Sequence, residues 1–270
     1  MKLKKKQFIP FFLLIVSLLQ ISCAQVPITG RNQLHLIPDS SILPMSFQQY
    51  SQFLDSNVIS TDSRSNEMVT RVGRRIQHEV EEYFRQQHMA HRLDGYKWEF
   101  HLVDSEEKNA WCMPGGKVVV YSGLLSITRD EAGLAVVMGH EIAHAVANHG
   151  NERMSHSLLV QMGGVALSTA VREHSAATQQ LWMTAFGVST QYGFALPYSR
   201  LHEKEADHLG LIFMAMAGYD PHVALDFWQR MSAEKKGGAP PEFLSTHPSD
   251  QQRIRSIRAL IPKAMKYYHH

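Results

Sequence analysis

The sequence predicts an α+β fold that is mostly α, with a small β-sheet. Three observations carry that prediction. Apolar residues recur at helical spacing along much of the chain, as in Met68, Val72, Ile76, Val80 and Phe84. Two short stretches, 97–103 and 117–121, read as strands. The composition, 44% hydrophobic and 19% charged over 270 residues, suits one sizeable domain with its own core. The same figures exclude a disordered chain, and a mean hydropathy of −0.23 excludes a polytopic membrane protein. A net charge of +2 leaves no electrostatic footprint for nucleic acid, and two cysteines cannot build a disulfide scaffold.

Residues 1–22 have the layout of a lipoprotein-type signal peptide. Lys2, Lys4, Lys5 and Lys6 form a basic start, and an apolar run over 8–19 is too short to span a bilayer. Ser22-Cys23 closes the segment as in a bacterial lipobox, with Gln20 standing where an aliphatic residue is usual. The expectation is export to the cell envelope or periplasm, with acylated Cys23 anchoring the chain to a membrane, expected to be the outer one. An ordinary cleaved signal with an incidental cysteine is the alternative. Residues 23–44, rich in Pro, Thr, Asn and Ser, read as an extended tether, and 45–270 as a single domain.

Within that domain, 45–56 and 64–91 carry helical periodicity. In 97–103 Trp98, Phe100 and Leu102 face one way, with Glu99 and His101 opposite. Pro114-Gly115-Gly116 turns the chain into the strand 117–121, expected to be an edge with which a substrate backbone pairs. Thr128-Arg129-Asp130-Glu131 reads as a capping box opening a helix to about 149. Residues 157–197 are apolar and small, interrupted by Gln161, Arg172-Glu173-His174 and Gln179-Gln180, and read as buried or interfacial helices. A helix over 199–218, another capped by Asp220-Pro221, a loop over 237–241 and a last helix after His247-Pro248 complete the chain.

His140-Glu141-Ile142-Ala143-His144 carries the chemistry. On a helix the two histidines lie one turn apart on one face, so both imidazoles can meet one ion. Glu141 is turned about 100° from His140 and stands beside the ion, positioned as a general base. The flanks, 134–139 and 145–147, are uncharged, so the helix is buried, and a metal supplies the partners that its polar groups need. Catalytic zinc takes three protein ligands. A third histidine six residues after the second is excluded, because Ala147 and Gly150 occupy the positions of that extended motif. A carboxylate from another helix is the remaining option. Glu203 and Asp207 share a face with Ala206 and Gly210, whereas Glu205 lies about 200° around from Glu203. Spacing alone leaves Glu203 balanced between a ligand and an exposed first-turn carboxylate.

Five stretches resemble one known family: Val26-Pro27-Ile28-Thr29-Gly30-Arg31, the run 109–117, His140 to Arg153, Ser199 to Gly210, and Thr246-His247-Pro248 with Arg253. The likeness is to zinc metallopeptidases of the CAAX prenyl protease, HtpX and Oma type, nearest their exported bacterial lipoprotein branch. The resemblance implies a gluzincin core and one Zn2+ held by His140, His144 and Glu203. It further implies Glu141 as general base and Asp207 either as proton donor or, as we read it, as a carboxylate orienting a ligating histidine. His247 is a candidate oxyanion donor, in a Gly/Pro-bounded loop that can approach the site. In some relatives a histidine here closes on the metal as a fourth ligand, and a plain helix-capping role is the third option. Cys112 reads as a small hydrophobe. His149, His156, His174, His202, His208 and His222 read as surface or capping residues.

The expected function is a zinc-dependent endopeptidase of cell-envelope proteins, unfolded ones among its substrates, serving protein quality control. The alternatives are a metal-containing binding module for misfolded envelope proteins, and a latched processing peptidase for one partner.

Overall fold

In the computed structural model the described residues are 23–191, 195–234, 241–248 and 251–268. The signal-peptide reading of 1–22, and most of the loop expected over 237–241, lie outside them.

The fold is organised around one helix. α4 (Glu131–Val146) is buried on nearly every side, as its uncharged flanks predict. It packs against α2 (Ser63–Gln86), β4 (Ala110–Met113) and α8 (Val223–Ala233), and most extensively against α7 (Leu196–Met216). α2 presents Val69, Val72, Ile76, Val80 and Phe84 to this core, all at 0% exposure, as its helical periodicity requires. α10 (Gln251–Ala264) closes the far side with Ile254, Ile257 and Ile261.

The α4–α7 crossing depends on two glycines. A Cβ on Gly139 would sit 2.9 Å from Gly210 O, and one on Gly210 would sit 2.8 Å from His140 N. The backbones therefore meet one residue from His140, close enough for side chains of α7 to reach the histidines of α4.

The sheet has three strands in the order β3 (Glu99–Val103), β5 (Lys117–Tyr121), β4. β3 runs parallel to β5, with Phe100 opposite Val118, and β4 runs antiparallel, with Cys112 opposite Val118. β5 is thus the central strand and not an edge, as its five buried residues fit. The strand with no partner on its outer side, among the described residues, is β4, which escapes a reading by alternation because it has only four residues.

Residues 23–44 are not an extended tether. β1 (Cys23–Gln25) and β2 (Asn32–Leu34) form a hairpin, and α1 (Asp39–Ser56) begins six residues earlier than its apolar spacing suggests, with Pro44 inside it. Val26 is 1% exposed. Long-range ion pairs of Arg31 hold this stretch down, which composition cannot reveal.

The start of α4 also differs. Asp130 is the N-cap and accepts from Gly133 N, while Thr128 ends a short helix, α3 (Leu125–Thr128), and donates to Leu125 O. At the other end Asn148 takes a left-handed conformation (φ 57°) and breaks the chain between α4 and α5 (His149–Ala170).

α5 and α6 (Ala176–Thr190) form a hairpin, with Phe186 meeting Gly163 and Gly164. It is not buried. Leu158, Leu159, Met162, Val165, Leu181, Trp182, Met183 and Val188 are all exposed, and α6 buries none of its residues. Among the described residues no helix is long and apolar enough to cross a membrane. α9 (Glu242–Thr246) carries the chain back over α4 and ends at His247.

Candidate active site

Helical spacing places His140 and His144 on the same face of α4, with ring centroids 4.7 Å apart. α7 crosses that face, and its second turn brings Glu203 in: Oε2 is 3.4 Å from His140 Nε2, and Oε1 is 3.3 Å from His144 Nε2. His247, following α9, completes the group. Its Nδ1 lies 3.1 Å from His140 Nε2 and 3.0 Å from Glu203 Oε1. One donor atom from each of the four residues lies within 4.8 Å of the others.

A metal ion fits this donor set. His140 Nε2 faces both His144 Nε2 and His247 Nδ1 at 3.1 Å. A ring nitrogen carries one N–H or one lone pair, so protons give His140 Nε2 at most one well-formed bond of these two. A cation accepts lone pairs from all of them. Glu141 Oε1 makes the same point: it is buried, 3.3 Å from His247 Nε2, and no well-formed hydrogen bond reaches it.

The surroundings set the charge states. Burial would push Glu203 up, but hydrogen bonds from His140, His144 and His247 hold it far below the usual carboxylate range. Burial pushes Glu141 up, against the pull of His247 and His140, as suits a base that must hold a proton. Burial drives His144 well down and pulls His140 the same way, where hydrogen bonds to Asp207 and Glu203 outweigh it and raise the ring to about 9; a bound metal would displace that proton.

Asp207 stands one turn after Glu203. Its Oδ1 is 3.1 Å from His140 Nδ1, the ring nitrogen facing away from Glu203. Arg253 grips Asp207 with Nη2 at 2.7 Å and Nε at 3.0 Å, and reaches Glu203 Oε2 with Nη1 at 3.1 Å. Its guanidinium lies 3.5 Å over the Trp228 ring. Arg253 follows the His-Pro pair in the sequence, but nothing local assigns it these contacts.

Two histidines read as surface or capping residues are interior: His149 is 0% exposed and His202 1%. The left-handed Asn148 starts α5 immediately behind α4, and so aims His149 Nδ1 at His144 Nδ1, 2.9 Å away. Glu205 does point away from Glu203, toward Thr29, Arg31 and His149. Cys112 is partly buried; burial and the nearby Glu141 carboxylate push its thiol well up, which keeps it unreactive.

Beside the site, a cleft of about 550 Å³ opens at Glu203 and Asp207, walled by Leu196, Ser199 and Arg200. β4 packs along α4, with its unpaired edge outward.

A helix presenting two histidines and a glutamate, completed by a carboxylate from a crossing helix, defines a gluzincin-type metallopeptidase core. Sequence comparison agrees. The family model described as Peptidase family M48 matches residues 71–261, and the chain belongs to that family, whose metallopeptidase character brings a metal cofactor. The mitochondrial metalloendopeptidase OMA1 of Schizosaccharomyces pombe is 39% identical over 173 residues, covering 64% of this chain and 49% of that protein. The mitochondrial metalloendopeptidase OMA1 of Bos taurus is 32% identical over 250 residues, covering 89% and 46%. The beta-barrel assembly-enhancing protease of Yersinia pestis is 29% identical over 163 residues, covering 59% and 33%. The chain spans about half the length, or less, of these curated relatives.

Proposed function

We propose that the chain is a zinc-dependent endopeptidase holding one Zn2+ per molecule through His140, His144 and Glu203. The observation that carries this reading is the buried Glu141 Oε1, reached by no well-formed hydrogen bond, beside four convergent donors. A zinc ion held there would acidify a water and polarise the scissile carbonyl. Glu141 takes the water proton during attack and delivers it to the leaving amine; its raised affinity for protons supports the second half of that task. Asp207 keeps His140 oriented, itself held by Arg253, and we assign it this role in place of proton donor. The outer edge of β4 is the rail on which an extended substrate pairs, running beside Glu141.

Substrates are proteins of the cell envelope, unfolded ones among them, and the role is quality control. The name of the Yersinia relative supports an envelope setting. Lipidated Cys23 anchors the chain to a membrane, and the exposed apolar surface of α5–α6 supports a location at a lipid interface.

The test is Glu141→Gln. The variant should bind one zinc and lose cleavage of an unfolded protein such as casein, while retaining the substrate as a trapped complex. Cleavage at the parent rate would discard the catalytic assignment. A metal-containing binding module would behave identically in parent and variant.

His247 favours a latched form of the same reading. Its Nδ1 lies within 3.1 Å of both His140 Nε2 and Glu203 Oε1, so it would compete with water for a bound ion, which supports a closed arrangement. Swinging α9 away would open it.

A further inference from the structure

We propose that the N-terminal hairpin positions the His144 imidazole through a relay: Arg31 and Thr29 hold Glu205, Glu205 orients His149, and His149 orients His144. This rests on the reading of His144 as a zinc ligand.

A histidine that ligates through Nε2 carries its proton on Nδ1 and needs an acceptor there. His140 has one in the Asp207 carboxylate. At His144 Nδ1 no carboxylate stands among the described residues; it faces His149 Nδ1 at 2.9 Å. His149 can accept at Nδ1 only if its own proton sits on Nε2, and Nε2 faces Glu205 Oε2 at 3.3 Å. Each hydrogen bond therefore has a fixed direction, from His144 to His149 to Glu205. The His149 ring is locked by stacking on His202, with centroids 4.3 Å apart and planes 12° apart.

Glu205 is fixed in turn from the N-terminal hairpin. Thr29 Oγ1 donates to its Oε1 at 2.8 Å, and Arg31 Nε donates to its Oε2 at 2.9 Å. The other edge of the same guanidinium makes two bonds to Glu152, at 2.8 and 2.7 Å, and His202 donates to Glu152 at 2.7 Å. Two nearly buried carboxylates thus share one cation. The turn explains the sequence Val26 to Arg31. Ile28 and Gly30 both take positive φ (63° and 66°), and Arg31 O accepts from Val26 N, which brings Thr29 and Arg31 to bear on Glu205 together. The relay couples the stretch next to Cys23 to a metal ligand.

The test uses the full chain in detergent and compares the parent with His149→Ala, His149→Gln and Arg31→Ala. Zinc affinity is measured by chelator competition, and site geometry by the visible absorption of the cobalt-loaded protein. Arg71→Ala, which breaks an ion pair at the opposite end of α4, is the control for general destabilisation. His149→Ala should weaken zinc binding about 10–100-fold and Arg31→Ala about tenfold, both with altered cobalt spectra. His149→Gln, whose carboxamide accepts and donates as the imidazole does, should stay within about threefold. Arg31→Ala with parental affinity and spectrum, or His149→Gln no better than His149→Ala, would overturn the relay. If His149→Ala fails to fold, Arg31→Lys decides: it keeps the charge but not the fork, and an unshifted cobalt spectrum overturns the proposal. A parent chain that binds no zinc would remove the metal reading itself, a different outcome from zinc binding that ignores Arg31.

Discussion

Replacing Gly210 with alanine tests whether the close crossing of α4 and α7 builds the site. An added Cβ would lie 2.8 Å from His140 N, 2.9 Å from Gly139 C and 3.0 Å from Gly139 O. All three are backbone atoms of a buried helix, so no side chain can rotate aside. Reaching ordinary contact, at 3.4 Å or more, takes about half an ångström of separation between the helices. Overpacking of this kind costs about 1–3 kcal/mol. Alanine in place of glycine within a helix contributes about 1 kcal/mol of the opposite sign. The neighbours are backbone atoms that cannot rotate aside, so the cost falls at the upper end of that range, about 3 kcal/mol, and Gly210→Ala should lose about 2 kcal/mol in urea unfolding at unchanged m-value. Because the strain falls on His140 itself, zinc affinity should fall with it. A variant as stable as the parent, or stabilised by the propensity term, would refute the argument. Gly139→Ala relieves through the same separation, so the double variant should cost less than the sum of the two.

His247→Ala should retain zinc on the three remaining ligands and cleave faster than the parent; metal loss or an unchanged rate in metal analysis and proteolysis assays would argue for a capping role. Arg253→Met leaves the buried Asp207 with His140 as its remaining partner and should cost about 3 kcal/mol, part of which Asp207→Asn in the same chain should restore in urea unfolding. Glu152 supplies a pH signature. Burial would raise its carboxyl, but bonds from Arg31 and His202 hold it at about 2, below its ordinary 4.5. A depressed value in the folded state means a contribution fully present above about pH 4.5 and lost as pH falls toward 2. Glu152→Gln should flatten that acid limb in denaturation of the metal-free chain, and an unchanged limb would contradict the ion pair.

The parts of the site that were legible are those with a local signature. His140, Glu141 and His144 follow from helical spacing within five residues. Glu203 and Asp207 follow from their shared face together with the family resemblance, and the same angular argument sends Glu205 away from them. What stayed hidden depends on long-range pairing. Arg31 looks like part of a polar tether until Glu152 and Glu205, more than a hundred residues away, are brought to it. His149 reads as a surface or capping residue because the left-handed turn at Asn148 cannot be foreseen from periodicity. β5 reads as an edge because β4, with Trp111, Cys112 and Met113 in a row, does not alternate. Buried strands read alike in the middle of a sheet and at its border, and only the neighbour's register distinguishes them.

The α5–α6 arm has a practical consequence. Large apolar side chains left in water make molecules adhere to each other in dilute buffer. Material purified without an amphiphile should therefore elute as polydisperse clusters, and a micelle coating the arm should return it to a uniform species. Specific activity would then track surfactant as much as the chemistry of the centre.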